Sequence, residues 1–71
     1  METPPVFSSQ DIEAALAAVP EEQREAVTLR IWGGLGFSEI AQVTGVPVET
    51  ATSRCRYGLA AMKKYFNLAT P

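Results

Sequence analysis

The side chains able to do chemistry in this 71-residue chain are few and unevenly placed. There is no histidine and a single cysteine, Cys55. Neither an imidazole base nor a mixed Cys/His metal site can be assembled, and no internal disulfide can form. No acid and base candidates share a face with a pocket, so the expectation is a protein that is not an enzyme and takes no cofactor and no metal. What remains is a segregation of charge. Residues 1–49 carry all eight carboxylates against Arg24 and Arg30, a net of −6, whereas residues 50–71 carry Arg54, Arg56, Lys63 and Lys64 with no acid, a net of +4. The overall charge of −2 and pI near 4.9 would by themselves argue against nucleic acid, whose binders present a basic surface. The asymmetry is the more informative quantity.

Length and composition limit what can hold these groups. A chain this short is one domain that buries about 60% of its unfolded surface. Ten of its hydrophobic residues are alanine, so the larger apolar side chains suffice for a few packed helices but not for a sheet covered on both faces. No apolar run approaches the ~20 residues that span a bilayer, and the acidic N-terminus lacks the layout of a signal peptide. The expectation is a cytoplasmic, reduced protein that does not engage a membrane.

Along the chain, Met1 to Phe7 contains Pro4-Pro5, and residues 1–8 read as a flexible leader. Ser8 and Asp11 have the form of a capping box, and Ile12, Ala15, Leu16 and Val19 recur at helical spacing, which predicts a first helix over roughly 9–18. Pro20 suits the first position of a second helix over about 20–32, with Glu21 and Glu22 at its positive end. Arg24 and Arg30 lie among the carboxylates of that helix and are expected to pair with Glu21, Glu22 or Glu25, with Arg30 the one able to reach a phosphate. Gly33, Gly34 and Gly36 mark a tight connection. Phe37 to Thr44 is long enough for two turns, with Gly36 at the cap, Glu39 at the third position, and Ile40 and Ala41 facing inward. Gly45 breaks it, and Pro47 can begin a longer fourth helix running to about Asn67. Residues 9–67 thus form the domain and 68–71 a tail. No strand alternation is sustained, so the fold class is all-α, a small bundle of about four helices with no winged-helix strands.

From Phe37 to Tyr57 the spacing fits a helix-turn-helix. Ala41 is small enough for two helices to approach steeply, Gly45 permits the positive φ of the turn, and Ile40, Val46 and Ala51 hold the pair together. An ordinary α-hairpin within a small bundle fits the same spacing.

The residues resemble a known family more closely than the spacing alone does. Pro20-Glu21-Glu22-Gln23-Arg24-Glu25, Leu29-Arg30, Gly34-Leu35, Phe37-Ser38-Glu39-Ile40-Ala41, Gly45-Val46-Pro47-Val48, Thr50 and Ser53-Arg54 occur in the order found in region 4 of bacterial sigma factors. The likeness is nearest to the extracytoplasmic-function group and covers about residues 10–66. It implies a transcription module whose second helix-turn-helix helix reads the major groove of a minus-35 promoter element, in association with the β flap of RNA polymerase.

Helical phase assigns residues to that implied role. Ala51, Cys55, Leu59, Met62 and Phe66 fall on one side of the fourth helix and are expected to be core, with Cys55 a small buried hydrophobe. Glu49, Thr50, Ser53 and Tyr57 lie opposite, flanked by Arg54 and Arg56. The resemblance then implies that Thr50, Ser53 and Tyr57 face bases and that Arg54 and Arg56 meet phosphates, with Lys63 and Lys64 further along the backbone. A merely solvated surface would use the same residue types. With so few cations, binding of double-stranded DNA by the isolated chain is expected to be weak. The alternative is a protein-interaction module of the same fold that binds RNA polymerase, an anti-sigma-like partner or itself as a homo-oligomer. It rests on the acidic N-terminal part and on Phe7, Trp32, Phe37, Tyr65 and Phe66, which a small domain cannot bury completely. A helical region that would bind the polymerase clamp has no room in 71 residues, so the chain is not expected to be a complete initiation factor.

Overall fold

The computed structural model describes residues 9–69, with side-chain surroundings for residues 10–67. Four helices follow in order: α1 (Ser9–Ala17), α2 (Glu21–Ile31), α3 (Phe37–Thr44) and α4 (Val48–Ala69). The expected leader, including Ser8 of the proposed capping box, lies outside the described residues. The α4 helix continues through Ala69, two residues past the end that periodicity indicated.

Both helix-initiating prolines sit one position earlier than expected. Pro20 has φ −53° and ψ 144°, so it is the extended cap residue and not the first helical one, and its carbonyl accepts from the Arg24 N–H at 2.8 Å. Pro47 plays the same part for α4, accepting from Ala51 N–H at 3.0 Å. A cap residue contributes only its carbonyl to the first turn, so a missing N–H costs nothing there either.

The α3 helix was the most legible element. Gly36 caps it, the Gly36 N–H donating to Glu39 Oε1 at 2.9 Å, the half of a capping box that a residue without a side chain can still make. Gly45 ends it with φ 71°, its N–H and that of Val46 both donating to the Ala41 carbonyl at 2.9 and 3.1 Å. Nothing lies within 4 Å of a Cβ built at Gly45, so conformation alone holds glycine there. Gly45→Ala should therefore cost about 1 kcal/mol through left-handed strain. A thermal melt should fall by roughly 5 °C, and an unchanged midpoint would show that the turn relaxes freely.

The core is divided into two parts strung along α4. Ala26, Ile40, Ala41, Ala51 and Cys55 pack between α2, α3 and the first half of α4, with Leu29, Leu35, Phe37 and Val46 at the margin. Ala15, Val19, Val27 and Met62 pack between α1, α2 and the second half, with Leu16, Ala61, Tyr65 and Phe66 beside them. Tyr65 and Phe66 meet edge to face at 5.7 Å. The α2 helix contributes the neighbours Ala26 and Val27 to the two cores and so binds them into one body.

Between those cores the fourth helix departs from the expected stripe. Ala51, Cys55 and Met62 are buried as predicted, but Leu59 is 42% exposed and Gly58 takes its place on the inner face. A Cβ added at Gly58 would lie 2.5 Å from Val27 Cγ2 and 3.0 Å from the Gln23 carbonyl oxygen. The crossing of α2 over α4 is thus too close for a side chain. Leucine next to it is turned outward because glycine, not leucine, fits the contact.

Candidate nucleic-acid interface

The α3 helix, the turn at Gly45 and the first half of α4 form the helix-turn-helix. Ile40 is completely buried and Ala41 nearly so, which anchors α3 against α4 through Ala51 and Cys55. Thr52 Oγ1 donates to the Val48 carbonyl at 2.9 Å, and Thr44 Oγ1 to the Ile40 carbonyl at 2.7 Å. Both hydroxyls are therefore engaged with their own helices.

With Ala51, Cys55, Gly58 and Met62 inward, the outer ridge of α4 is Glu49, Ser53, Arg56, Tyr57, Lys63 and Lys64, all exposed. Tyr57 is 62% exposed, a large ring left in solvent by a chain with few apolar residues to spare. Thr50 is half-buried at the flank of this ridge. Arg54 is also on the flank, but its guanidinium is turned toward α2, where Nη2 lies 3.4 Å from Glu22 Oε2 with the Arg54 side chain 24% exposed. The sequence expectation gave Glu22 to an arginine of its own helix. The α2–α4 crossing instead brings Arg54 to it. Arg30 likewise does not end on a carboxylate: Nη1 donates to the Leu35 carbonyl at 3.1 Å and the guanidinium stacks 4.4 Å from the Phe37 ring centroid. That geometry closes the α2–α3 connection over an aromatic face.

Two groups beside the ridge were not singled out from the sequence. Ser38 and Gln42, one turn apart on the outer side of α3, are exposed and border an open depression of about 450 Å³ that Val48 at the start of α4 also lines. Their i, i+4 spacing opposite Ile40 and Ala41 was the available signal.

Cys55 is 2% exposed, and its thiol donates to the Ala26 carbonyl at 3.5 Å. Burial pushes its pKa above the usual thiol value of 9.0, and the positive charge of Arg30 opposes that rise only in part. The thiol is therefore protonated and unreactive at neutral pH. Alkylation of Cys55 should be slow in the native protein and should accelerate in parallel with unfolding in urea. Labelling as fast as that of a free thiol peptide would contradict the burial. Because the folded pKa is raised, this group's contribution to stability is complete below pH 9.0 and is lost as pH rises further, through the folded pKa.

Comparison with known families gives the helix-turn-helix its family. The family model for sigma-70, region 4, matches residues 9–62, three quarters of the chain. The chain belongs to the sigma-70 region 4 family. The match takes in all of α1, α2 and α3 and α4 as far as Met62, so both cores fall within it, while Lys63 and Lys64 lie just past its end. Region 4 is a helix-turn-helix domain of transcription factors, not an enzyme, and membership makes this chain a module of the DNA-binding, RNA polymerase-associated kind. No solved structure gives a significant match. No helix among the described residues is long and apolar enough to cross a membrane.

Proposed function

We propose that residues 9–67 act as a region 4 module of the extracytoplasmic-function type in the bacterial cytoplasm. Its α4 helix enters the major groove of a minus-35-type promoter element while the domain is held by the β flap of RNA polymerase. The observation that carries this reading is the coincidence of the chain's cationic segment, residues 50–71, with the outward ridge of the second helix-turn-helix helix, where Glu49 in the first turn is the one acid. Ser53, Tyr57 and Thr50 are placed for base edges, and Arg56, Lys63 and Lys64 for phosphates. Arg54 pairs with Glu22, and its five donors leave it able to reach a DNA phosphate as well.

The number of cations fixes the strength. Each phosphate neutralised contributes about −0.9 to the slope of log affinity against log salt on duplex DNA. Arg56→Ala should flatten the measured slope by about that amount; a slope equal to the unaltered chain's would place Arg56 outside the interface.

A second reading is supported by the exposed pair Ile31 and Trp32 at the end of α2, Trp32 being 54% exposed and lining an open groove with Ile12 and Leu16. On that reading the fold serves to bind protein, with little affinity for DNA. Titrating a randomised duplex pool with the chain, in the presence and absence of core RNA polymerase, separates the two. DNA retained by the chain alone supports direct readout. Retention only with the enzyme assigns the affinity to protein contact.

A further inference from the structure

Beside the proposed DNA ridge lies a second feature that promoter recognition does not explain. An open groove of about 280 Å³ runs between the end of α2, the start of α3 and the middle of α4, lined by Arg30, Phe37, Thr52, Cys55, Arg56 and Leu59. Its floor is apolar: the Phe37 ring, the buried Cys55 and the Leu59 side chain that Gly58 displaces from the core. Among the described residues its lining contains two guanidiniums and no carboxylate, in a chain whose acids outnumber its bases. Arg56 has no ion pair among the described residues. Arg30 is held in place by the Leu35 carbonyl and the Phe37 ring, neither of which neutralises it.

We infer that this groove is a binding site for a small amphipathic anion, a carboxylate or phosphate on a compact apolar body, with the anionic group between Arg30 and Arg56 and the apolar part against Phe37 and Leu59. Charge complementarity selects the anion, and the groove's volume of about 280 Å³, just below that of ordinary small-molecule pockets, suits a small apolar part. The thiol takes no part, because it is already donating to the Ala26 carbonyl. Arg56 belongs to both the groove and the outer ridge of α4. An occupant therefore withdraws one cation from the DNA face, which makes promoter affinity responsive to the ligand. That consequence rests on the DNA reading; the binding site does not.

The test is a titration of the isotopically labelled full chain with sodium decanoate below its micelle concentration, followed residue by residue by NMR. Decyltrimethylammonium and inorganic phosphate serve as controls. Decanoate should shift the signals of Phe37, Thr52, Cys55, Arg56 and Leu59, and the cationic amphiphile should leave them in place. Phosphate alone should bind far more weakly because it lacks the apolar part. Arg56→Gln, an exposed change that leaves both cores intact, should weaken decanoate binding about threefold to fivefold, as expected for one exposed charge. Leu59→Ser should weaken it without changing the response to phosphate. Equal shifts with the cationic amphiphile, shifts centred on Trp32 and Leu16, or undiminished binding by both variants would each overturn the assignment. A duplex titration with saturating decanoate adds the functional arm: a salt slope flattened by about 0.9 supports competition for Arg56. If the chain binds no duplex at all, the DNA reading fails while the decanoate shift map still decides the site.

Discussion

Ile40→Ala is expected to leave the domain largely unfolded at ambient temperature. Ile40 is fully buried where α3 meets α2 and α4, and its neighbours in that core are mostly small: Ala26, Ala41, Ala51 and Cys55. Removing it deletes the largest fully buried side chain and leaves a cavity that small residues cannot collapse to fill, a loss of about 2–5 kcal/mol. A core of this size rarely supplies more than about 3–5 kcal/mol in total. The melting midpoint should drop by roughly 15 °C or more, with loss of helical circular dichroism in proportion. A variant that melts within a few degrees of the parent would mean that the helix-turn-helix core is not where the stability resides.

The second large effect is at Gly58, where two general tendencies oppose each other. In an exposed helix interior, alanine is about 1 kcal/mol better than glycine. Here the added methyl would meet Val27 Cγ2 at 2.5 Å and the Gln23 carbonyl oxygen at 3.0 Å. Val27 is completely buried and β-branched, so it has no second comfortable rotamer, and the Gln23 contact is backbone. Overpacking of this kind costs about 1–3 kcal/mol and outweighs the propensity gain. Gly58→Ala should therefore destabilise, and Gly58→Val should do so more strongly. The steric cause can be isolated with Val27→Ala: the double variant should recover at least about 1 kcal/mol relative to the sum of the single changes, read from urea titrations. A stabilised Gly58→Ala would mean that α2 and α4 cross further apart than the structure has them.

These two residues also show how far the sequence could be read. Ile40 was legible because α3 is short and bounded by Gly36 and Gly45, so the apolar pair Ile40-Ala41 had one face to occupy. Gly58 was not, because residues 58 and 59 both fall near the inner face of a long helix and hydrophobicity favours the leucine. Only the distance between α2 and α4 decides for glycine, and distance between helices is not written in the local pattern. The same holds for Arg54. Charge counting placed it correctly in a cationic segment, but its neighbour Glu22 lies far away in sequence and meets it only through the helix crossing. The cap positions of Pro20 and Pro47 were missed by one residue, since proline is compatible with both the cap and the first turn and only ψ tells them apart. The candidate ridge was legible as a segregation of charge. Which of its cations are free was legible only in three dimensions.

That division bears on how strongly the module can bind. Arg56, Lys63 and Lys64 are exposed and have no ion pair among the described residues, and Arg54 is shared with Glu22 across a contact that is partly open to solvent. An exposed ion pair is worth about 0.2–1 kcal/mol, so a phosphate can compete for Arg54 but must displace Glu22 to take it fully. Three to four phosphate contacts are the most that α4 supports. Affinity in a cell would then come from simultaneous attachment to the polymerase, which raises the local concentration of promoter DNA around the helix.

The most direct test of the central claim, that the outer ridge of α4 binds duplex DNA through its cations, is the affinity of the isolated chain for a randomised duplex pool at 50 and at 200 mM salt. Three to four contacts predict a log-log slope of about −2.7 to −3.6, a fall of roughly 40- to 150-fold across that interval. Folded protein that retains no duplex at 50 mM salt, or retains it with an affinity indifferent to salt, would contradict the account.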